Sequence, residues 1–411
     1  MNSQRKRFGK FLLLWSGELI CAIGSGLTSF GLGIYILQET GSAADMSLVT
    51  LFAFLPTLLL SVPAGVLADR IDRRLLMMAG DGLSALGILY ILLCMMSGEI
   101  ALWQICLGVL ISGVFSALPQ PAYWATVSDL LTPDEYSKAS GLISLADSAR
   151  YLISPMLAGA ILSVSSIKVL LIIDICTFFP TVLAAAVVRK GLAARPCEEK
   201  SSWKQSFQEG WRWIFAHQGL LILVLMASLI TFFMGCFQIL AQPLVLQFSS
   251  AAVLGNVETI CACGMLVSSI FLGVAGIKHG YLKILSLSLF VTGLMMVGSG
   301  LWENLISITV FGFLFFAALP FANNALDVLV RDNIPNALLG RTKGVIGFLS
   351  QLGYLVAYAF SGLMADGLAH TFPLTLGRAS GSVIVISGIL LSICALLLWL
   401  PKSVRNLEEK A

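Results

Sequence analysis

The chain has 411 residues, 58% of them hydrophobic, and only 11% carry charge, where a soluble domain carries about 25%. With a mean hydropathy of +0.92, such a chain cannot cover itself with polar surface in water. It reads as an integral membrane protein, and a net charge of only +3 gives no basis for a nucleic-acid partner.

The N-terminus MNSQRKRFGK leads into an apolar run, 11–37, that is too long for the core of a signal peptide and contains Glu18. We read it as an uncleaved first helix. Apolar stretches long enough to cross about 30 Å of hydrocarbon then recur at 46–68, 75–96, 101–127, 137–163, 167–188, 219–246, 253–276, 281–301, 304–330, 341–367 and 380–400, twelve in all. With the N-terminus in the cytoplasm, 22 of the 25 Lys and Arg residues fall inside. Lys168 and Arg378 fall outside, and Arg150 lies within a span. This bias is what the positive-inside rule requires, and it places both termini on the cytoplasmic face of a bacterial inner-membrane type of bilayer.

Between the second and third spans stands GVLADRIDRR, Gly65 to Arg74. Gly65 is expected to allow close helix approach, Asp69 to cap or pair at a helix end, and Arg70, Arg73 and Arg74 to bridge neighbouring helix termini. The order resembles the loop between the second and third helices of the major facilitator superfamily, G-x-x-x-D-R-x-G-R-R, with Asp72 where that family more often has glycine. The resemblance implies an all-α integral membrane fold of twelve transmembrane helices in two pseudo-symmetric six-helix bundles. It makes the loop a conformational latch. Asp81, at the start of the third helix, is expected to join the loop network around Arg70.

In the fifth span, SARYLISPMLAG carries Pro155 and Gly159 where antiporters of this superfamily show G-P-x-x-G-G; Ser154 and Ala160 replace two of its glycines. The linker that follows begins RKGLAARPCEEKSS and continues WKQSFQEGWRWIF, with Trp203, Phe207, Trp211 and Ile214 near one helical face, as expected of a helix lying on the membrane surface. This divides the chain into a six-helix bundle at 1–188, a cytoplasmic linker at 189–218, and a second bundle with a tail at 219–411. The halves echo one another. Phe115-Ser-Ala-Leu-Pro119 matches Phe316-Ala-Ala-Leu-Pro320, Pro133 matches Pro335, Gly141 matches Gly344 and Gly159 matches Gly362, all 201 to 203 residues apart.

Charges inside spans are costly and attract functional readings. Glu18, on a small or polar stripe with Cys21, Ser25 and Ser29, leads the candidates for proton coupling. Asp147 and Arg150, the other candidates for proton coupling, lie three residues apart on one helix face and are expected to pair with each other or with neighbours. Asp174, Glu258 and Asp366 are weaker candidates for a cavity. Phe30, Tyr123, Tyr151, Phe233 and Tyr354 are candidates to line a pocket for a bulky amphipathic ligand. Eight of the nine cysteines lie in apolar runs as small hydrophobes, and Cys197 lies in the linker. Cys261-Ala-Cys263 lacks metal-ligand spacing, so no metal or cofactor is expected.

The chain has three histidines, no H-E-x-x-H, no G-x-S-x-G and no G-x-x-x-x-G-K-[ST], which argues against an enzyme and against its own ATP site. The resemblance, closest to the macrolide-efflux-like and siderophore-exporter-like branch, implies a monomeric secondary transporter with a small-molecule substrate. Proton-coupled export of a macrolide-like drug or siderophore by alternating access is the expected activity; an importer, or a sensor or scaffold that does not transport, is the alternative.

Overall fold

The computed structural model describes residues 2–189, 203–277, 279–335 and 338–408. Within them the chain is helical throughout, without strands: α1 (Asn2–Thr40), α2 (Ala43–Arg70), α3 (Arg73–Ser97), α4 (Leu102–Ser116), α5 (Pro119–Leu130), α6 (Pro133–Leu152), α7 (Ser154–Val164), α8 (Ile167–Arg189), α9 (Trp203–Ala216), α10 (Gln218–Leu246), α11 (Ala251–Ala275), α12 (Tyr281–Leu301), α13 (Leu305–Asp332), α14 (Leu339–Thr371), α15 (Leu376–Leu397) and α16 (Lys402–Glu408). Counting α4 with α5 and α6 with α7 gives the twelve spans. Helices are the natural outcome, because hydrocarbon offers no partner to an unpaired backbone N–H or C=O. Large side chains such as Leu59, Phe179, Ile270 and Leu363 are more than half exposed, which suits lipid and not water.

Two spans read as single helices are interrupted. The chain turns at Ala117 and Leu118, where Leu118 N–H donates to Phe115 O at 3.1 Å, and Pro119 opens α5. It turns again at Ile153, and Pro155 lies in the first turn of α7. Proline has no N–H to continue the ladder. The matching Pro320 stays inside an unbroken α13, so the repeat holds in sequence but not in local geometry.

The chain forms two compact units. The first comprises Met1–Thr40, Leu48–Glu199 and Ala251–Asn256, and the second Gly41–Ser47, Lys200–Ser250 and Val257–Ala411. In the first unit α1 packs against α6, α7 and α8, and α3 against α4, α5 and α8. Its core at one end is built from Phe11, Leu14, Met77, Tyr123, Val127 and Leu130. Gly159 of α7 meets the first turn of α11 so closely that an added Cβ would lie 2.5 Å from Ala251 O.

In the second unit α12 packs against α13 and α15, and α10 against α14 and α15. The first turn of α2 belongs here and is held by Asp366 of α14. The Asp366 carboxylate accepts from Ser42 Oγ at 2.7 Å and from the Ala43 and Ala44 N–H groups, each at 3.0 Å, a side-chain cap supplied from another helix. One turn back on α14, an added Cβ at Gly362 would lie 2.3 Å from Ala43 O. Asp366 is thus occupied in closing a helix end and is not available as the cavity group envisaged from sequence.

Helix α9 packs against the second unit. Ile214 is fully buried with Val224 and Val345, the Phe207 ring meets that of Phe348, and Glu209 pairs with Arg341. Its apolar face docks on α10 and α14 of the second unit, while Trp211 and Phe215 remain exposed. The side chain of Trp203 lies outside the described residues.

The close crossing at Gly362 and the open surroundings of Gly344 on the same helix predict opposite signs for one substitution. Gly344→Ala should stabilise the protein by up to about 1 kcal/mol through helix propensity, whereas Gly362→Ala should destabilise it by about 1–3 kcal/mol through overpacking. Thermal unfolding of the purified variants checks both.

Candidate functional site

The joint between α2 and α3 is a network built around Arg73. Its guanidinium donates to Asp129 Oδ2 of α5, to Ala125 O at 3.0 Å and to Ala68 O at 3.3 Å, and Asp69 stands 3.8 Å away. Charge-assisted bonds of this kind fix geometry as well as adding energy. One arginine therefore ties the end of α2, the start of α3 and the end of α5 together. Asp129, 56 residues from Arg73, was not singled out from sequence. Arg74 is buried and Arg70 exposed. An added Cβ at Gly65 meets nothing within 4 Å, so the close helix approach expected there is absent.

Asp72, the departure from the family pattern, has a specific role. It is the N-cap of α3, at φ −55° and ψ 112°, a conformation that needs no glycine. Its Oδ1 accepts from Arg74 N–H and its Oδ2 from Arg189 Nε of α8, both at 3.0 Å. Burial works to raise its pKa, but the Arg74 N–H and the Arg189 guanidinium outweigh burial and hold the carboxyl below its ordinary value.

Deeper in the first unit, the charged side chains gather in two places. Glu18 of α1 and Asp81 of α3 act on each other electrostatically, with the Cys21 thiol close to both. Asp81 is only 5% exposed, and its Oδ2 has no hydrogen-bond partner among the described residues. It belongs to this interior pair and not to the loop around Arg70. Farther along the same stripe of α1, Arg150 of α6 donates to Ser29 Oγ at 3.2 Å and acts electrostatically on Asp174 of α8. The side chain of Asp147 lies outside the described residues; Arg150 turns to α1 and α8.

Around the helix break, Ser154 donates to Ile23 O at 3.0 Å and is fully buried. The hydroxyl thus gives α7 a bond to α1 that glycine would lack. Pro155 is buried beside it, and its carbonyl would lie 2.1 Å from a Cβ added at Gly255 of α11. Of the aromatic candidates, Phe30, Tyr123 and Phe233 are buried in the packing of their own units, and Tyr151 is 53% exposed. Tyr354 is half-buried and donates to Met234 Sδ at 3.0 Å. In the second unit, Glu258 accepts from Gln242 Nε2 at 3.4 Å.

The profile of the Major Facilitator Superfamily matches residues 14–249. The chain belongs to this superfamily. It is a multi-pass membrane transporter by family. It is 26% identical over 390 residues to macrolide efflux protein A of Streptococcus pyogenes, covering 92% of this chain and 93% of that one. It is 24% identical over 383 residues to the multidrug efflux pump Tap of Mycolicibacterium fortuitum, covering 89% of this chain and 91% of that one. These relatives agree with the macrolide-efflux-like branch expected from sequence. Among solved structures, a bacterial homolog of the human lysosomal transporter Spinster, inward-facing and unoccupied, shares the fold at a TM-score of 0.76, with 14% identity over 98% of each chain.

In this transporter Asp72 contributes stability while ionised. Because its folded-state pKa is depressed, that contribution is complete above the ordinary carboxylate range and is lost as pH falls through the lowered value. Asp72→Gly, which restores the residue more usual in the family, should cost only a few tenths of a kcal/mol as a lost cap and remove the link to Arg189. Thermal midpoints of wild type and variant, measured from neutral to acid pH, should converge at the acid end.

Proposed function

We propose that this transporter exports small amphipathic compounds of macrolide type, driven by protons moving inward, through alternating access. The observation that carries the reading is similarity over nearly the whole chain to macrolide efflux protein A, 92% of this chain and 93% of that protein, reinforced by the similarity to the multidrug efflux pump Tap. The proposed working parts are six-helix bundles at 1–188 and 219–411, joined by the linker at 189–218, with both termini cytoplasmic. The network of Asp69, Arg73 and Asp129 serves as the latch, and the exposed arginines Arg70 and Arg189 lie beside it. A monomer suffices for this mechanism.

Coupling falls to the charged side chains inside the first unit. Hydrocarbon makes such groups expensive, and they persist where they move an ion or hold a bundle together. Glu18, electrostatically joined to Asp81, is the leading proton carrier, and Arg150 is a second element of the coupling. Tyr151, exposed close to Arg150 in sequence, is the best placed of the aromatic candidates to meet a substrate.

Inside-out membrane vesicles with an acidified interior test the reading. They should accumulate a radiolabelled macrolide in proportion to the imposed pH gradient, and collapse of the gradient should stop uptake. Glu18→Gln should abolish gradient-driven accumulation while equilibrium binding persists. Siderophores run in parallel address the other substrate class. Gradient-independent uptake would refute proton coupling, and full activity in Glu18→Gln would remove Glu18 from the mechanism.

A further inference from the structure

Asp174 lies in the middle of α8 and is 1% exposed. Its Oδ1 has no hydrogen-bond partner among the described residues, and neither does Thr28 Oγ1 of α1, which is 5% exposed. Ser25 and Thr28 of α1 and Thr177 of α8 stand around the carboxyl, with Arg150 of α6 as its charged neighbour. The Thr177 hydroxyl donates to the backbone carbonyl of Asp174 at 2.7 Å, so its proton is already committed. Gly24 makes the room: a Cβ there would lie 2.9 Å from Asp174 Oδ1 and 2.2 Å from Thr177 Oγ1. Any larger residue on that face of α1 would displace the carboxyl.

A buried polar atom without a partner costs about 1–3 kcal/mol, and two such oxygens on adjoining helices call for an explanation. The Thr28 hydroxyl can donate to the ionised carboxylate and accept from the protonated one, so the pair can follow Asp174 through a change of protonation state. A resident metal cation fits less well, because the Arg150 guanidinium already supplies positive charge to the cluster. Access is short. Arg150 and Ser29, bonded to each other at 3.2 Å, are both exposed, and Ser25, Thr28 and Ser29 follow one another on neighbouring turns of α1.

We propose that Asp174 is a second proton-binding site, its carboxylate taking one proton from the aqueous side through the Ser29, Ser25 and Thr28 hydroxyls and returning it later in the cycle, with Arg150 as the positioning charge. The step is proton transfer alone: an O–H bond forms at Asp174 as one breaks in water, and nothing is oxidised or reduced. The other titratable or charged groups in the middle of the surrounding elements are Glu18 and Cys21 on α1, Asp81 on α3 and Cys176 on α8. Lys168 lies exposed at the start of α8, the Asp147 side chain on α6 lies outside the described residues, and α7 carries none. The inference rests on the proton-coupled reading above, but its test needs no substrate.

Infrared difference spectra of the full-length protein in lipid nanodiscs, recorded between alkaline and acid pH, read protonated carboxyl groups directly. Wild type should show a protonated-carboxyl band component that Asp174→Asn lacks and that Glu18→Gln and Asp81→Asn keep. Arg150→Gln should move its titration midpoint without changing its amplitude. Thr28→Val, which retains the carboxyl if Asp174→Asn fails to fold, should shift its frequency. Replacing choline chloride with sodium chloride should leave the component unchanged. Persistence of the full band in Asp174→Asn, an unshifted band in Thr28→Val, or loss of the band on adding sodium would overturn the proposal. If macrolide transport fails but the band is lost in Asp174→Asn, the proton site stands and the substrate reading falls. If gradient-driven transport is seen and the band stays intact in Asp174→Asn, the substrate reading stands and the proton site falls.

Discussion

Hydrocarbon cannot solvate an ion, and this single constraint arranges most of the molecule. It drives the charges of the helix ends into the loops, where Arg73 gathers Asp69, Asp129 and two backbone carbonyls. Arg189 of α8 meets Asp72 at the start of α3 for the same reason. In the second unit, at the start of α15, Arg378 finds Glu303 and the Leu301 carbonyl. Water and fixed dipoles are available at these ends, so the pairs hold helix termini in register without the desolvation cost of deep burial.

The same constraint gives weight to the few polar groups that remain inside. Glu18 and Asp81 face one another on α1 and α3, and Arg150 reaches Ser29 and Asp174 on α1 and α8. Helix α1 is common to both groups, and its small residues make that possible: Gly24 clears space for Asp174, and Gly26 would meet Ser154 of α7 at 2.3 Å if it carried a Cβ. The interior of the second unit is quieter. Its polar side chains, such as Thr231 and Ser286, bond to carbonyls of facing helices in the manner of packing glue. An exception is Glu258, a carboxyl in its interior that accepts from Gln242 Nε2.

Length and apolarity made the spans legible, because a run of about 20 apolar residues has few other fates; 281–301 coincides with α12, and 167–188 with α8 to one residue. The repeat in the sequence foretold matched glycines, and Gly159 and Gly362 both prove to be close crossings. Partners distant in sequence were not legible. Nothing near Arg73 announces Asp129, and nothing near Ser42 announces Asp366, since each pairing depends on which helices the fold brings together. The turns before Pro119 and Pro155 were not legible either, because proline is tolerated in membrane helices whenever neighbours satisfy the freed carbonyls, as the unbroken course of α13 past Pro320 shows. The amphipathic pattern of α9 is plain in the sequence, but its docking surface is not, because an apolar face suits a neighbouring helix as well as lipid.

Central to the proposed mechanism is the expectation from sequence that twelve spans sort their basic residues to one face of the bilayer, with the Arg73 joint on the cytoplasmic side. Single cysteines introduced at Asp69 and at Gly98 into a cysteine-free version, probed with a membrane-impermeant maleimide, test it most directly. Gly98→Cys should be labelled in intact cells and Asp69→Cys only after the membrane is opened; labelling of Asp69→Cys from outside intact cells would contradict it.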